Sequence, residues 1–113
     1  MRSRFDQQLS LLNRKMTEMG GECESIIASA VKALLAGSAE DARRAREQGH
    51  RIDQLEREIE SICLKLLLQQ QPVARDLRVI SAALKMITDM ERIGDQAEDI
   101  AEIITTLGGR TGA

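Results

Sequence analysis

Three carboxylates, Glu91, Asp95 and Asp99, recur at every fourth position within Asp89-Met90-Glu91-Arg92-Ile93-Gly94-Asp95-Gln96-Ala97-Glu98-Asp99-Ile100. The stretch reads as helix, and residues at i, i+4 and i+8 of a helix stack along one side, drifting by about 40° per step. Like charges at that spacing repel and destabilise an isolated helix. The spacing alone leaves three compensations open: a bound cation, the arginines of a partner, or screening by solvent. As hard oxygen ligands, carboxylates suit iron, manganese, magnesium or calcium, whereas zinc usually prefers nitrogen or sulfur. Asp53 and Glu56 either border this acidic side or are solvated, and the pattern does not choose between the two.

No catalytic constellation accompanies these residues. The chain has no Cys–His or Ser–His–Asp set beyond scattered residues, no glycine-rich phosphate loop and no His-x-x-x-His pattern, so an enzyme is not expected. A di-iron carboxylate enzyme is disfavoured because the Glu-x-x-His pairs of that class are missing. His50, the sole histidine, falls in a polar segment and reads as a surface residue. Cys23 and Cys63 fall at apolar positions of helical patterns and read as small buried hydrophobes in a reducing compartment.

The elements that position the carboxylates follow from composition and period. At 113 residues the chain is one domain by size. It holds one Phe and no Trp or Tyr, so the apolar volume comes from Leu, Ile, Ala, Val and Met, as in helical bundles. A net charge of −2 and the lack of aromatic platforms argue against nucleic acid. The N-terminus lacks the apolar core of a signal peptide, and no apolar run approaches the roughly 18 residues of a membrane span. A soluble, cytoplasmic protein is expected.

Phe5, Leu9, Leu12, Met16, Met19, Cys23, Ile26, Ala30 and Leu34 recur in alternating steps of 4 and 3, predicting one helix over residues 3–36 despite Gly20-Gly21. Gly37 suits a helix C-terminus, and Ser38 with Asp41 reads as a capping box. The second helix, residues 38–70, carries Ala45, Ile52, Leu55, Ile59, Ile62 and Leu66. Pro72, the only proline, sets the next break. The third helix is expected over 73–107, stopping at Gly108-Gly109, with 108–113 a disordered tail. Short connections make neighbours antiparallel, so the expected fold is all-α: an up-down-up three-helix bundle over residues 1–107.

Projected at 100° per residue, the third helix separates into three sides. One holds Val79, Ala83, Met86, Met90, Ile93, Ala97, Ile100 and Ile104 and is expected to be core. A second is basic, with Arg78, Lys85 and Arg92. The third begins apolar with Leu77, Ile80, Leu84 and Ile87 and turns acidic with Glu91, Asp95, Glu98, Asp99 and Glu102. Three helices do not easily bury two apolar sides of one member. The Leu77/Ile80/Leu84/Ile87 stripe is therefore expected to be an interface, most simply that of a two-fold homo-oligomer.

These residues resemble the PhoU family of phosphate-signalling regulators. The resemblance runs from Met1 to about Leu107. It includes Met1-Arg2-x-x-Phe5-Asp6-x-x-Leu9, Met19-Gly20, Ile52-Asp53-x-Leu55-Glu56 and Gln71-Pro72-Val73-Ala74-Arg75-Asp76-Leu77-Arg78. The most specific segment is Glu91-Arg92-Ile93-Gly94-Asp95-x-Ala97-x-Asp99-Ile100. Family members are usually tandem repeats of a three-helix bundle, with one Glu/Asp-x-x-x-Asp motif on the third helix of each repeat, and this chain resembles the N-terminal repeat. His50 departs from the family's common Asp, and Asp99 stands where Asn is also common. The resemblance implies a cytoplasmic adaptor that links a phosphate ABC transporter, through its ATPase subunit, to a sensor histidine kinase and represses the phosphate-starvation response. It implies Glu91, Asp95 and Asp99 as candidate ligands of a divalent or trivalent metal such as iron, zinc, manganese or magnesium. The alternative is a helical oligomerisation module with no metal or signalling role of its own.

Overall fold

A computed structural model of the chain describes residues 3–69 and 72–111. Three helices account for it: α1 (Ser3–Ala36), α2 (Ala39–Gln69) and α3 (Ala74–Thr111). Each packs against both others, giving a rod of 63 × 18 × 16 Å. The contacts between neighbours establish the directions. Lys15 meets Glu58 and Glu18 meets Arg51, so numbers rise on α1 as they fall on α2. Between α2 and α3, Arg46 reaches Thr105, and Ile52 lies against Gly94. The bundle is therefore up-down-up, as expected, and α1 runs parallel to α3.

Local chemistry sets the two breaks. Gly37 adopts a left-handed φ of 63°, and its N–H donates to the Ala33 carbonyl at 2.7 Å, closing α1 with the αL turn that glycine adopts freely. The Ser38 hydroxyl oxygen then accepts from the Asp41 N–H at 3.2 Å and caps α2. At the start of α3, Asp76 is buried in the first turn and accepts from the Val73 N–H at 3.2 Å. That bond is the reciprocal half of a capping box, with Pro72 just outside the helix. Helix α3 continues to Thr111, past the Gly108-Gly109 pair expected to end it. Residues 112–113 of the expected tail lie outside the described residues. Gly20-Gly21 leaves α1 unbroken.

The core is one continuous line of side chains. From α1 it takes Phe5, Leu12, Met19, Cys23, Ile26 and Ala30; from α2, Ala45, Ile52, Leu55, Ile59, Ile62, Cys63 and Leu66. Leu9 and Met16 pack against it, half-buried. These match the expected apolar positions of both helices, with the exception of Leu34, which is 64% exposed. Both cysteines are free and buried.

Helix α3 is rotated from its expected setting. Ile80 and Ile87 are fully buried and Leu84 packs on the core, leaving only Leu77 of the expected interface stripe exposed. Val79, Met86, Ile93 and Ile100, expected in the core, are 38–51% exposed. The core line of α3 runs instead through Ile80, Ala83, Ile87, Ala97, Ala101 and Ile104, with Gly94 buried among them. The cause is steric. Small residues at 83, 94, 97 and 101 let α1 and α2 approach closely, so the backbones settle over that arc rather than over the larger side chains beside it.

Candidate acidic site between the second and third helices

Helix α2 carries two kinds of carboxylate, distinguished by the neighbour each meets. On its α1 side, Glu58 is neutralised: Lys15 lies 2.9 Å away and Arg51 3.9 Å away, with Glu18 bonded to Arg51. Its carboxyl is held below the ordinary range, first by the hydrogen bond from Lys15. On its α3 side, Asp53 and Glu56 face more carboxylates. There the register matters. An added Cβ on Gly94 would lie 3.2 Å from Ile52 Cδ1, and one on Gly49 would overlap the Glu98 side chain. Two glycines thus bring the helices together at this level, one admitting Ile52 and the other letting Glu98 lie across α2.

That close approach places Glu56 against Glu91. Burial, a side-chain hydrogen bond with Glu91, and the charges of Glu91, Glu60 and Asp53 raise the Glu56 carboxyl from 4.5 to about 7. A carboxyl raised this far keeps its proton through mildly acidic pH, and in that form it can donate to a neighbouring carboxylate. Asp95 is raised by burial and then by Glu91, Asp53 and Asp99. Glu98 is raised by burial and by Asp53, while His50 nearby opposes the shift. Among the described residues, no cation forms an ion pair with Glu56, Glu91, Asp95, Glu98 or Asp99.

The structure therefore treats the three expected residues differently. Glu91 is half-buried at the α2 contact; Asp95 and Asp99 are exposed on the same flank of α3. No group of three or more His, Cys, Asp or Glu side chains among the described residues is gathered closely enough to hold a metal ion. The donor types fit a hard cation, and the raised Glu56 carboxyl beside Glu91 marks where negative charge is crowded. Of the two readings the sequence left open for Glu56, the structure supports the first: it borders the acidic side, against Glu91. The recurrence of Asp53, Glu56 and Glu60 on α2 is the signal that points to it, once the two helices are aligned. His50 is exposed near Glu98 rather than among the three carboxylates. No helix of the described residues is long and apolar enough to cross a membrane.

Comparison with known proteins adds to this geometry. The profile of the PhoU domain matches residues 16–104. The chain is 40% identical over 99 residues to a protein of Burkholderia sp described as a phosphate-specific transport system accessory protein PhoU homolog, covering 88% of this chain and 42% of that protein. A Synechocystis protein of the same description is 38% identical over 106 residues, 94% of this chain and 47% of its own length. The crystal structure of PhoU from Pseudomonas aeruginosa matches with a TM-score of 0.90 and 35% identity, over 94% of this chain and 51% of that one. The chain thus spans about half the length of these relatives.

Proposed function

The chain belongs to the PhoU family, and on that premise we propose that it is a cytoplasmic adaptor and negative regulator of phosphate uptake and of the phosphate-starvation response. The observation that carries this reading is the match of sequence and fold along nearly the whole chain to phosphate-transport accessory proteins. A three-helix rod with charged flanks and no catalytic constellation among its described residues suits action through protein contacts. Its partners in this reading are the ATPase subunit of a phosphate ABC transporter and a sensor histidine kinase.

The test pairs a cellular and a biochemical measurement. Deleting the gene should release a phosphate-repressed reporter in phosphate-rich medium, and restoring the chain should silence it again. The purified chain should retain the ATPase subunit or the kinase on a column. A chain that neither restores repression nor retains either protein defeats the proposal and leaves the oligomerisation module.

A second reading concerns Glu91, Asp95 and Asp99 as a cation-binding face completed by Glu56. It is supported by the Glu56–Glu91 contact and by the absence of ion pairs on that face among the described residues. Replacing Glu91→Gln together with Asp95→Asn should lower metal content in protein purified without chelator and remove any rise of melting temperature in added metal. Unchanged values in both measurements would refute cation binding while leaving the adaptor reading intact.

A further inference from the structure

We propose that the end of the rod around Pro72 docks on a bilayer surface rich in anionic phospholipid. The antiparallel packing gathers that end from three places: the start of α1, the close of α2 and the start of α3. Leu64, Leu68, Val73 and Leu77 stand exposed there, Leu68 to 83%. In Val73-Ala74-Arg75-Asp76-Leu77-Arg78 only Asp76 is buried, in the cap of α3. Arg4 of α1, Lys65 of α2 and Arg75 and Arg78 of α3 are exposed at the same level, and Asp6 is the exposed carboxylate among them. Among the described residues, none of these four cations forms an ion pair. Exposed leucines among unpaired cations suit an interfacial contact. The apolar groups enter the headgroup boundary, and the cations meet its phosphates.

Depth and charge select a membrane as the occupant. At about 1.5 Å of rise per residue, Leu64 and Leu77 lie within about 8 Å of the turn. Interfacial elements bury their apolar side by about 5–10 Å. The cations come from all three helices, so charge rings the end instead of lining one groove. A flat, fluid surface meets such a ring, whereas a groove partner touches one side of it. The rest of the rod sets the orientation. From Asp89 to Leu107, α3 carries Asp89, Glu91, Asp95, Glu98, Asp99 and Glu102 against Arg92 alone. That half begins about 22 Å from the turn, beyond the Debye length of about 8 Å at physiological salt. A bilayer touching the basic end therefore hardly repels it, while a rod lying flat would bring carboxylates to the phosphates. The net charge of −2 conceals a polarity that holds the 63 Å rod end-on. No helix of the described residues can cross a membrane, so the contact is with its surface. Such docking is independent of the regulatory role.

The experiment is flotation of the 113-residue chain with vesicles of phosphatidylcholine alone or of an equal mixture with phosphatidylglycerol. The expected result is binding to the mixed vesicles that weakens as salt is raised, and little binding to the neutral ones. Near an anionic surface each Lys or Arg contributes about fivefold, so Arg75→Gln with Arg78→Gln should weaken binding about thirtyfold. Arg43→Gln with Arg44→Gln removes the same net charge at the opposite end and should leave binding unchanged. Leu64→Gln with Leu68→Gln, at exposed positions outside the core, should weaken it too. A polarity-sensitive dye on Leu68→Cys should shift to the blue on the mixed vesicles, and one on Leu35→Cys, exposed at the far end, should not. Both native cysteines are buried, so the dye reads the introduced thiol. A chain that ignores the mixed vesicles overturns the proposal and leaves the exposed leucines to a protein partner. Equal losses from the two arginine pairs also overturn it, as does a shift at Leu35→Cys as large as at Leu68→Cys.

Discussion

Glu56→Gln should stabilise the protein, and only above a definite pH. In the folded chain the Glu56 carboxyl is held up at about 7, chiefly by burial and by Glu91, against an ordinary value of 4.5. Between those two pH values the folded state retains a proton that the unfolded chain has released. The stability conferred by that proton is therefore complete below about 4.5 and is lost as pH rises through about 7. At about 1.36 kcal/mol per pH unit the interval corresponds to at most about 3.4 kcal/mol. Glu56 is still reached by solvent, and screening reduces the effect to about 1–2 kcal/mol. Glutamine keeps a donor toward Glu91 without a proton to lose. At pH 8 in chelator, Glu56→Gln should raise the melting temperature by about 4–8 °C per kcal/mol gained. At pH 5 the gain should be small, because the wild type is then mostly protonated at this site. Urea unfolding at both pH values, followed by circular dichroism, gives the comparison. A variant no more stable than wild type at pH 8, or equally stabilised at both, would refute a raised Glu56 carboxyl.

Other expectations test the packing. An added Cβ at Gly20 or Gly21 meets nothing within 4 Å, so Gly20→Ala with Gly21→Ala should stabilise α1 by about 1 kcal/mol per site, measured by chemical denaturation. Gly94→Ala places its methyl 3.2 Å from Cδ1 of the fully buried Ile52, and should forfeit that gain until Ile52→Val makes room; a double-mutant cycle reads the coupling. Ile59→Ala, at a fully buried α2 position, should cost about 2–5 kcal/mol by the same denaturation. Cys23 and Cys63 have thiols pushed up by burial, first of all, and should react with a thiol reagent only as fast as the rod opens.

What could be read along the chain was whatever backbone chemistry decides locally. Gly37, Ser38 and Pro72 mark their breaks because a left-handed turn, a capping hydroxyl and a missing N–H act within a few residues. The apolar stripes of α1 and α2 were legible because large side chains stand on one face of each. Helix α3 was not, because it has large apolar residues on adjacent arcs and small ones between them. Which arc turns inward depends on where two other helices approach. The same limit left Glu56 undecided between bordering the acidic side and being solvated. It lies far before Glu91 in the chain, and only the fit of Ile52 against Gly94 brings the two level. Glu91, Asp95 and Asp99 were legible as a shared flank, but their unequal exposure was not.

The rod is only 18 Å across, which leaves room for a single file of core side chains. Each level of the bundle is then held mainly by the levels directly above and below it. Such a structure can fray from its two turns while its middle stays closed, so amide hydrogen exchange should slow progressively from the Gly37 and Pro72 ends toward the centre. Glu56 and Glu91 lie close to the midpoints of α2 and α3. Fraying at either end leaves their contact intact, so a change of charge there weighs on the last opening of the molecule and hardly on the first. Raising the pH through 7 should therefore lower the protection factors of the slowest amides at the waist, after division by the intrinsic base-catalysed rate, while leaving those at the ends unchanged. The pair of carboxylates sits where a change of charge weighs on the global opening of the rod rather than on the fraying of its ends.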